Sequence, residues 1–162
     1  TATLPRMALV RILVDGYSLL HRWPGLAPGA ARHSATAREA LVTTLTRYQD
    51  AAGTPLTIVF DGQGAPPGTP KLPSSREVEV LFSRAGQTAD MLIERAAVRL
   101  RAYGEVLVVT DDHAERDTVS GFGGLVSSCA LFIAQVEDAL GGLAADLKTY
   151  NRREQARFRG SR

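Results

Sequence analysis

Four apolar runs of strand length, Ala8–Val14, Leu56–Phe60, Val78–Phe82 and Glu105–Thr110, punctuate this chain, and most are continuous rather than alternating. Unbroken apolar runs suit strands covered on both faces, whereas a sheet with one wet face alternates. Helical patterns lie between the runs. Ser34 can cap a helix to about Ala52, stopped by Gly53, with Ala37, Leu41, Leu45 and Tyr48 on one face. Thr88 can cap the next, in which Ala89, Leu92, Ile93, Ala96, Ala97 and Leu100 form an apolar stripe and Gly104 is the stop. A third helical region follows Asp112. A glycine cluster (Gly121, Gly123, Gly124) and a helix from about Ser127 to Leu140 come next, and Gly141-Gly142 separates a basic tail. Alternation of this kind implies an α/β fold: a mainly parallel sheet between helical layers, joined by right-handed crossovers.

Ligands of such folds bind beyond the carboxyl ends of the strands, and acids gather there. Asp15 follows Ile12-Leu13-Val14, Asp61 follows Ile58-Val59-Phe60, and Asp112 follows Val108-Val109-Thr110, while Asp90 stands at a helix start. The whole chain carries net charge +2 with a pI of about 9.0. Acids drawn together in a basic protein act against mutual repulsion, and a divalent cation is the usual compensation. Each also has a plainer use. Asp15 and Asp61 can initiate turns, and Asp90 is favoured by a helix dipole. Gly16 is expected to let the backbone turn sharply, so that the Asp15 carboxylate projects from the sheet edge. Of Asp111 and Asp112 only one can face the edge easily. The Thr110-x-Asp112 spacing favours Asp112, leaving Asp111 outward or as a helix cap. Glu94 and Asp117 read as solvated.

At 162 residues the chain suffices for one core. No apolar run approaches the roughly 18 residues of a membrane span. Cys129, the single cysteine, reads as a buried helix position. A reducing compartment, such as a cytoplasm or an organelle interior, suits it. Nothing before Met7 resembles a secretory signal. From Leu147 to Arg162 six basic residues face one acid, Glu154, which suits either a polyanion partner or a solvated terminal helix. The stretch from Asp61 to Ser75, with four prolines and three glycines, reads as a mobile loop at the ligand edge. His21, His33 and His113 lack zinc-like spacing and have no cysteine cluster beside them, so no zinc site is expected. Trp23 is expected to pack, and the glycine cluster matches no phosphate-loop pattern.

The order of motifs resembles a known family. Asp15-Gly16-Tyr17, Val59-Phe60-Asp61, Val80-Leu81-Phe82-Ser83 with Gly86-Gln87-Thr88-Ala89-Asp90 and Ile93-Glu94-Arg95, Thr110-Asp111-Asp112 with Ala114-Glu115, and Gly121-Phe122-Gly123-Gly124 look like the YacP-like branch of the NYN-domain, PIN-like nucleases. The resemblance covers about residues 9 to 138. It implies a PIN-like three-layer fold over residues 7–142, with 143–162 as a basic C-terminal helix or tail. It also implies Mg²⁺ or Mn²⁺ on acidic residues and endonucleolytic cleavage of RNA, with messenger RNA on the ribosome as substrate. Asp15, Asp61, Asp90 and Asp112 match the acidic positions as catalytic residues and metal ligands, Asp15 and Asp112 as the principal ones. Ser18, Arg22, Arg84, His113, Arg116, Gly121, Gly123, Lys148, Arg152 and Arg153 are candidate RNA contacts. Two positions depart from the pattern: Ser18 stands where an Asn usually follows Asp-Gly-Tyr, and His113 where a basic residue is common. They motivate an alternative, a non-catalytic RNA- or ribosome-binding module. A phosphohydrolase is disfavoured because no second Asp follows Asp15 two residues on.

Overall fold

A computed structural model describes residues 9–62 and 77–160, with the side chains of 143–149 and 158–160 left aside. Five parallel strands form one sheet in the order β3-β2-β1-β4-β5. They are β1 (Leu9–Asp15), β2 (Leu56–Phe60), β3 (Val78–Phe82), β4 (Glu105–Val109) and β5 (Leu125–Ser127). The helices are α1 (Gly16–His21), α2 (Ala35–Ala52), α3 (Ala89–Leu100), α4 (His113–Gly121) and α5 (Cys129–Gly160). Strand residues alternate between two cores despite their continuous apolarity. Ile12, Val14, Ile58 and Phe60 join Leu19, Leu41, Leu45 and Phe132 on the α1/α2/α5 side. Leu13, Val59 and Val108 join Ile93, Ala97 and Val119 on the α3/α4 side. Each fully buried side chain of this size contributes roughly 1.5–3 kcal/mol, so this three-layer α/β/α arrangement is driven from both faces.

The caps fall where the sequence places them. Ser34 Oγ accepts from Ala37 N, Thr88 Oγ1 from Met91 N, and Gly53 closes α2 in the left-handed region at φ +82°. Trp23 and Cys129 are buried; Trp23 Nε1 donates to Glu137 Oε1 at 3.0 Å, tying the loop after α1 to α5. That loop is held by one side chain, since the Arg32 guanidinium donates to the carbonyls of Leu20, Trp23, Ala27 and Ala30. Ala27, with φ +49°, sits in this turn.

Four details differ from the expectations. The short helix α1 directly follows Asp15. α3 ends at Leu100, capped by Arg101, before Gly104. The glycine cluster is followed by β5, whose three residues are too short to read as a strand. And α5 continues through Gly141-Gly142; glycine weakens a helix interior by roughly 1 kcal/mol relative to alanine but does not forbid it. Most of the Asp61–Ser75 loop, together with Ala8, Ser161 and Arg162, lies outside the described residues.

The strand order positions the site. From β1 the chain proceeds outward through β2 to β3, then crosses back to place β4 on the other flank of β1. The order reverses between β1 and β4, and the connections leaving their carboxyl ends diverge to opposite faces. A crevice opens at such a point.

Candidate active site at the carboxyl edge of the sheet

Asp15 ends β1, Asp61 follows β2, Asp112 lies three residues beyond β4, and Asp90 is the second residue of α3. Asp15 caps α1: its Oδ1 accepts from Ser18 N at 3.2 Å. The Ser18 side chain as well as its amide opposes the rise of the Asp15 carboxyl. Gly16 has a steric reason rather than a conformational one, because a Cβ there would stand 2.3 Å from the Phe60 ring. Gly62, after Asp61, is likewise pressed against the Ser83 carbonyl oxygen, at 2.2 Å from the position of a Cβ. Ser83 Oγ donates to Asp61 Oδ1 at 3.1 Å and accepts from Gly62 N at 2.9 Å, fixing that carboxylate beside β3.

Beyond β4 the chain divides its acids unexpectedly. Asp111 accepts from Cys129 N with Oδ1 and from Arg22 Nε with Oδ2, at 2.9 and 2.8 Å, so it secures the start of α5 and neutralises Arg22. Asp112 is exposed and caps α4, Oδ1 accepting from Glu115 N at 3.1 Å. Glu115 is the acid that turns inward. It is 2 % exposed, and both carboxyl oxygens are buried without a hydrogen-bond partner in good geometry.

Glu115 is pushed up to about 9, first by burial and then by Asp90, with Asp15 adding repulsion. Burial also raises Asp15, with Asp90 and Asp61 contributing; the bonds from Ser18 oppose the rise. Asp90 thus acts on both Asp15 and Glu115, and Asp61 on Asp15, which relates acids drawn from two strand ends and two helices. Sequence reasoning missed Glu115 as a site residue. Asp112-x-x-Glu115 resembles a capping box, in which the glutamate would fold back on the helix start. A signal was nevertheless present: Glu115 lies one turn before Val119, on the face of α4 that must be buried.

A donor set of carboxylate oxygens, two of them buried and unpartnered, suits a hard divalent cation in type and charge. Among the described residues no three His, Cys, Asp or Glu side chains are grouped closely enough to hold an ion. Binding one would have to draw these carboxylates together.

The candidate RNA contacts scatter. Arg84 and His113 are exposed at the edge, Arg116 is half-buried on α4, and Arg152 and Arg153 are exposed far along α5. Arg22 is engaged by Asp111. Gly123, at φ +88°, offers its carbonyl to Arg101 Nε at 2.9 Å, and Gly121 ends α4. The Lys148 side chain lies outside the described set. Glu94 is half-buried and Asp117 exposed. No helix of the described residues is long and apolar enough to cross a membrane.

Comparison with known proteins gives one answer. The model of the YacP-like NYN domain matches residues 12–160. The uncharacterized protein YacP of Bacillus subtilis is 32% identical over 127 residues, spanning 78% of this chain and 74% of that protein. The crystal structure of Rae1 (YacP) from Bacillus subtilis superposes with a TM-score of 0.75 at 27% identity, covering 93% of this chain and 85% of the other. A tryptophan-to-leucine variant of it gives the same score over 89% and 85%. The chain belongs to the YacP-like NYN domain family, and its α/β/α sheet is the PIN-like fold of that nuclease superfamily.

Proposed function

We propose that this member of the YacP-like NYN family is a metal-dependent endoribonuclease whose working carboxylates are Asp15, Asp90 and Glu115, with Asp61 beside them and Asp112 at the rim. Family membership supports nuclease chemistry and RNA as the substrate class. The observation that carries the reading is the inward Glu115, buried with no hydrogen bond of good geometry to either carboxyl oxygen and facing Asp90 at the point where the strand order reverses. Asp15, Asp90 and Glu115 would hold Mg²⁺ or Mn²⁺. A bound ion of this kind supplies charge neutralisation at phosphorus and a more acidic water. The residues themselves do three things. Ser18 holds the Asp15 carboxylate in place, burial favours the protonated form of Glu115, and Asp61, fixed by Ser83, can orient a water at the rim. Arg84, His113 and Arg116 stand where they can meet phosphates without reading sequence. The basic stretch of α5 is suited to a larger polyanion, which fits messenger RNA engaged on a ribosome.

Cleavage of an unstructured RNA, assayed with and without Mn²⁺ for the wild type, Asp15→Asn and Glu115→Gln, tests this reading. Mn²⁺-dependent internal cuts that both variants lose are expected. Undiminished cutting by both would overturn the assignment. One observation favours a second reading, a non-catalytic RNA-binding module: among the described residues the carboxylates do not converge on a formed coordination sphere. It predicts RNA binding that weakens steeply with salt, ignores Mn²⁺ and yields no product.

A further inference from the structure

Away from the acids, two histidines twelve positions apart meet side by side. His21 ends α1, His33 lies in the loop before α2, and their Nε2 atoms are 3.2 Å apart on the exposed surface. When both rings are neutral, one Nε2–H can donate to the other Nε2. Two imidazole nitrogens bound to one tetrahedral zinc, at about 2.0–2.1 Å each, lie about 3.3 Å from one another. The observed spacing matches that geometry.

The pair is also held in place. The His33 ring packs at a tilt of 37° against Tyr17 with centroids 4.2 Å apart, and Tyr17 in turn packs on buried Phe60 at 5.0 Å. Arg38 Nη1 donates to the His33 carbonyl at 2.7 Å and to Tyr17 Oη at 3.2 Å. Arg32 fixes the intervening turn through four carbonyls. So both backbones and one ring are set before any ion arrives, which is the preorganisation a small site requires.

We propose that His21 and His33 form a two-imidazole site for a borderline divalent transition ion of the zinc class, separate from the carboxylates that would take Mg²⁺ or Mn²⁺. Both rings would bind through Nε2 with the proton on Nδ1, leaving the other coordination positions to water. Chemistry selects the ion. Arg38 brings positive charge close and, among the described residues, no carboxylate is bonded to either ring, so an ion held by charge alone gains little. One that bonds to neutral nitrogen does not need the carboxylate. This inference is independent of the nuclease reading.

The test is a Zn²⁺ titration of the full chain in excess Mg²⁺, followed by the imidazole signals of all three histidines in ¹H–¹⁵N NMR. The His21 and His33 signals should move together and saturate at one equivalent while those of His113 stay fixed. His33→Ala should weaken zinc binding by about tenfold or more, and Asp15→Asn should leave it unchanged. Unmoved His21 and His33 signals at one equivalent would overturn the proposal. So would zinc binding that survives His33→Ala or disappears with Asp15→Asn, since the ion would then belong to the acidic edge.

Discussion

Asp15 and Asp112 occupy matching places on either side of the strand reversal. Asp15 is the last residue of β1 and Asp112 lies three residues beyond β4; each takes an extended backbone conformation, and one carboxylate oxygen of each accepts from an amide three residues ahead. They differ in what surrounds the other oxygen. Asp15 is desolvated and feels Asp90 and Asp61, whereas Asp112 is exposed and passes the inward position to Glu115. An identical capping motif thus leaves a desolvated carboxylate among other acids on one flank and an exposed one on the other. Burial, which no motif encodes, makes the difference.

The largest expected effect on this contrast is catalytic. Asp15→Asn keeps the cap and should lower Mn²⁺-dependent RNA cleavage by on the order of 10³-fold, while Asp112→Asn should cost less than tenfold. Equal losses in a quantitative cleavage assay would break the distinction and make the α4 cap a ligand. Next comes Glu115→Gln, which should reduce cleavage by on the order of 10²-fold yet leave the metal-free protein at least as thermostable, because it replaces an acid that carries its proton near neutrality.

The pH dependence of stability is a smaller effect. With the Glu115 carboxyl raised from 4.5 to about 9 in the folded chain, the folded state binds more protons than the unfolded state between those values. Stability must therefore fall as pH rises across that window. Melting scans without metal should show the decline in the wild type and a shallower one in Glu115→Gln; parallel curves would count against the burial of this acid. Smallest is the cap itself. Asp112→Ala should cost about 1 kcal/mol, read as a drop of a few degrees in Tm, and Asp112→Ser should recover most of it.

Much of this was legible in the residues. Continuous apolar runs announced strands covered on both faces, and Ser34, Gly53 and Thr88 marked helix ends by local chemistry that tertiary contacts did not override. The family pattern pointed to the edge where Asp90 and Asp61 lie close enough to Asp15 to raise it by repulsion. Less accessible was anything set by neighbours distant in sequence. Gly16 reads as a turn residue, but the Phe60 ring forbids a side chain there. Glu115 reads as a cap partner, but the face of α4 that packs against the sheet carries it inside. His21 and His33 have no meaningful spacing until Arg32 folds the turn between them.

The uninterrupted course of α5 has a thermodynamic consequence. Its first turns are clamped by Phe132, Ile133 and Val136 in the core, whereas Tyr150, Arg152 and Arg153 beyond Gly141-Gly142 are exposed. Two adjacent glycines between a clamped end and a solvated one make a fault line at which local opening starts, so amide exchange along this single helix should fall into a slow proximal and a fast distal class. A polyanion grasping the distal half would meet a fraying segment rather than a rod. Part of its binding energy would go into winding the helix, which weakens the grip and leaves it easy to release.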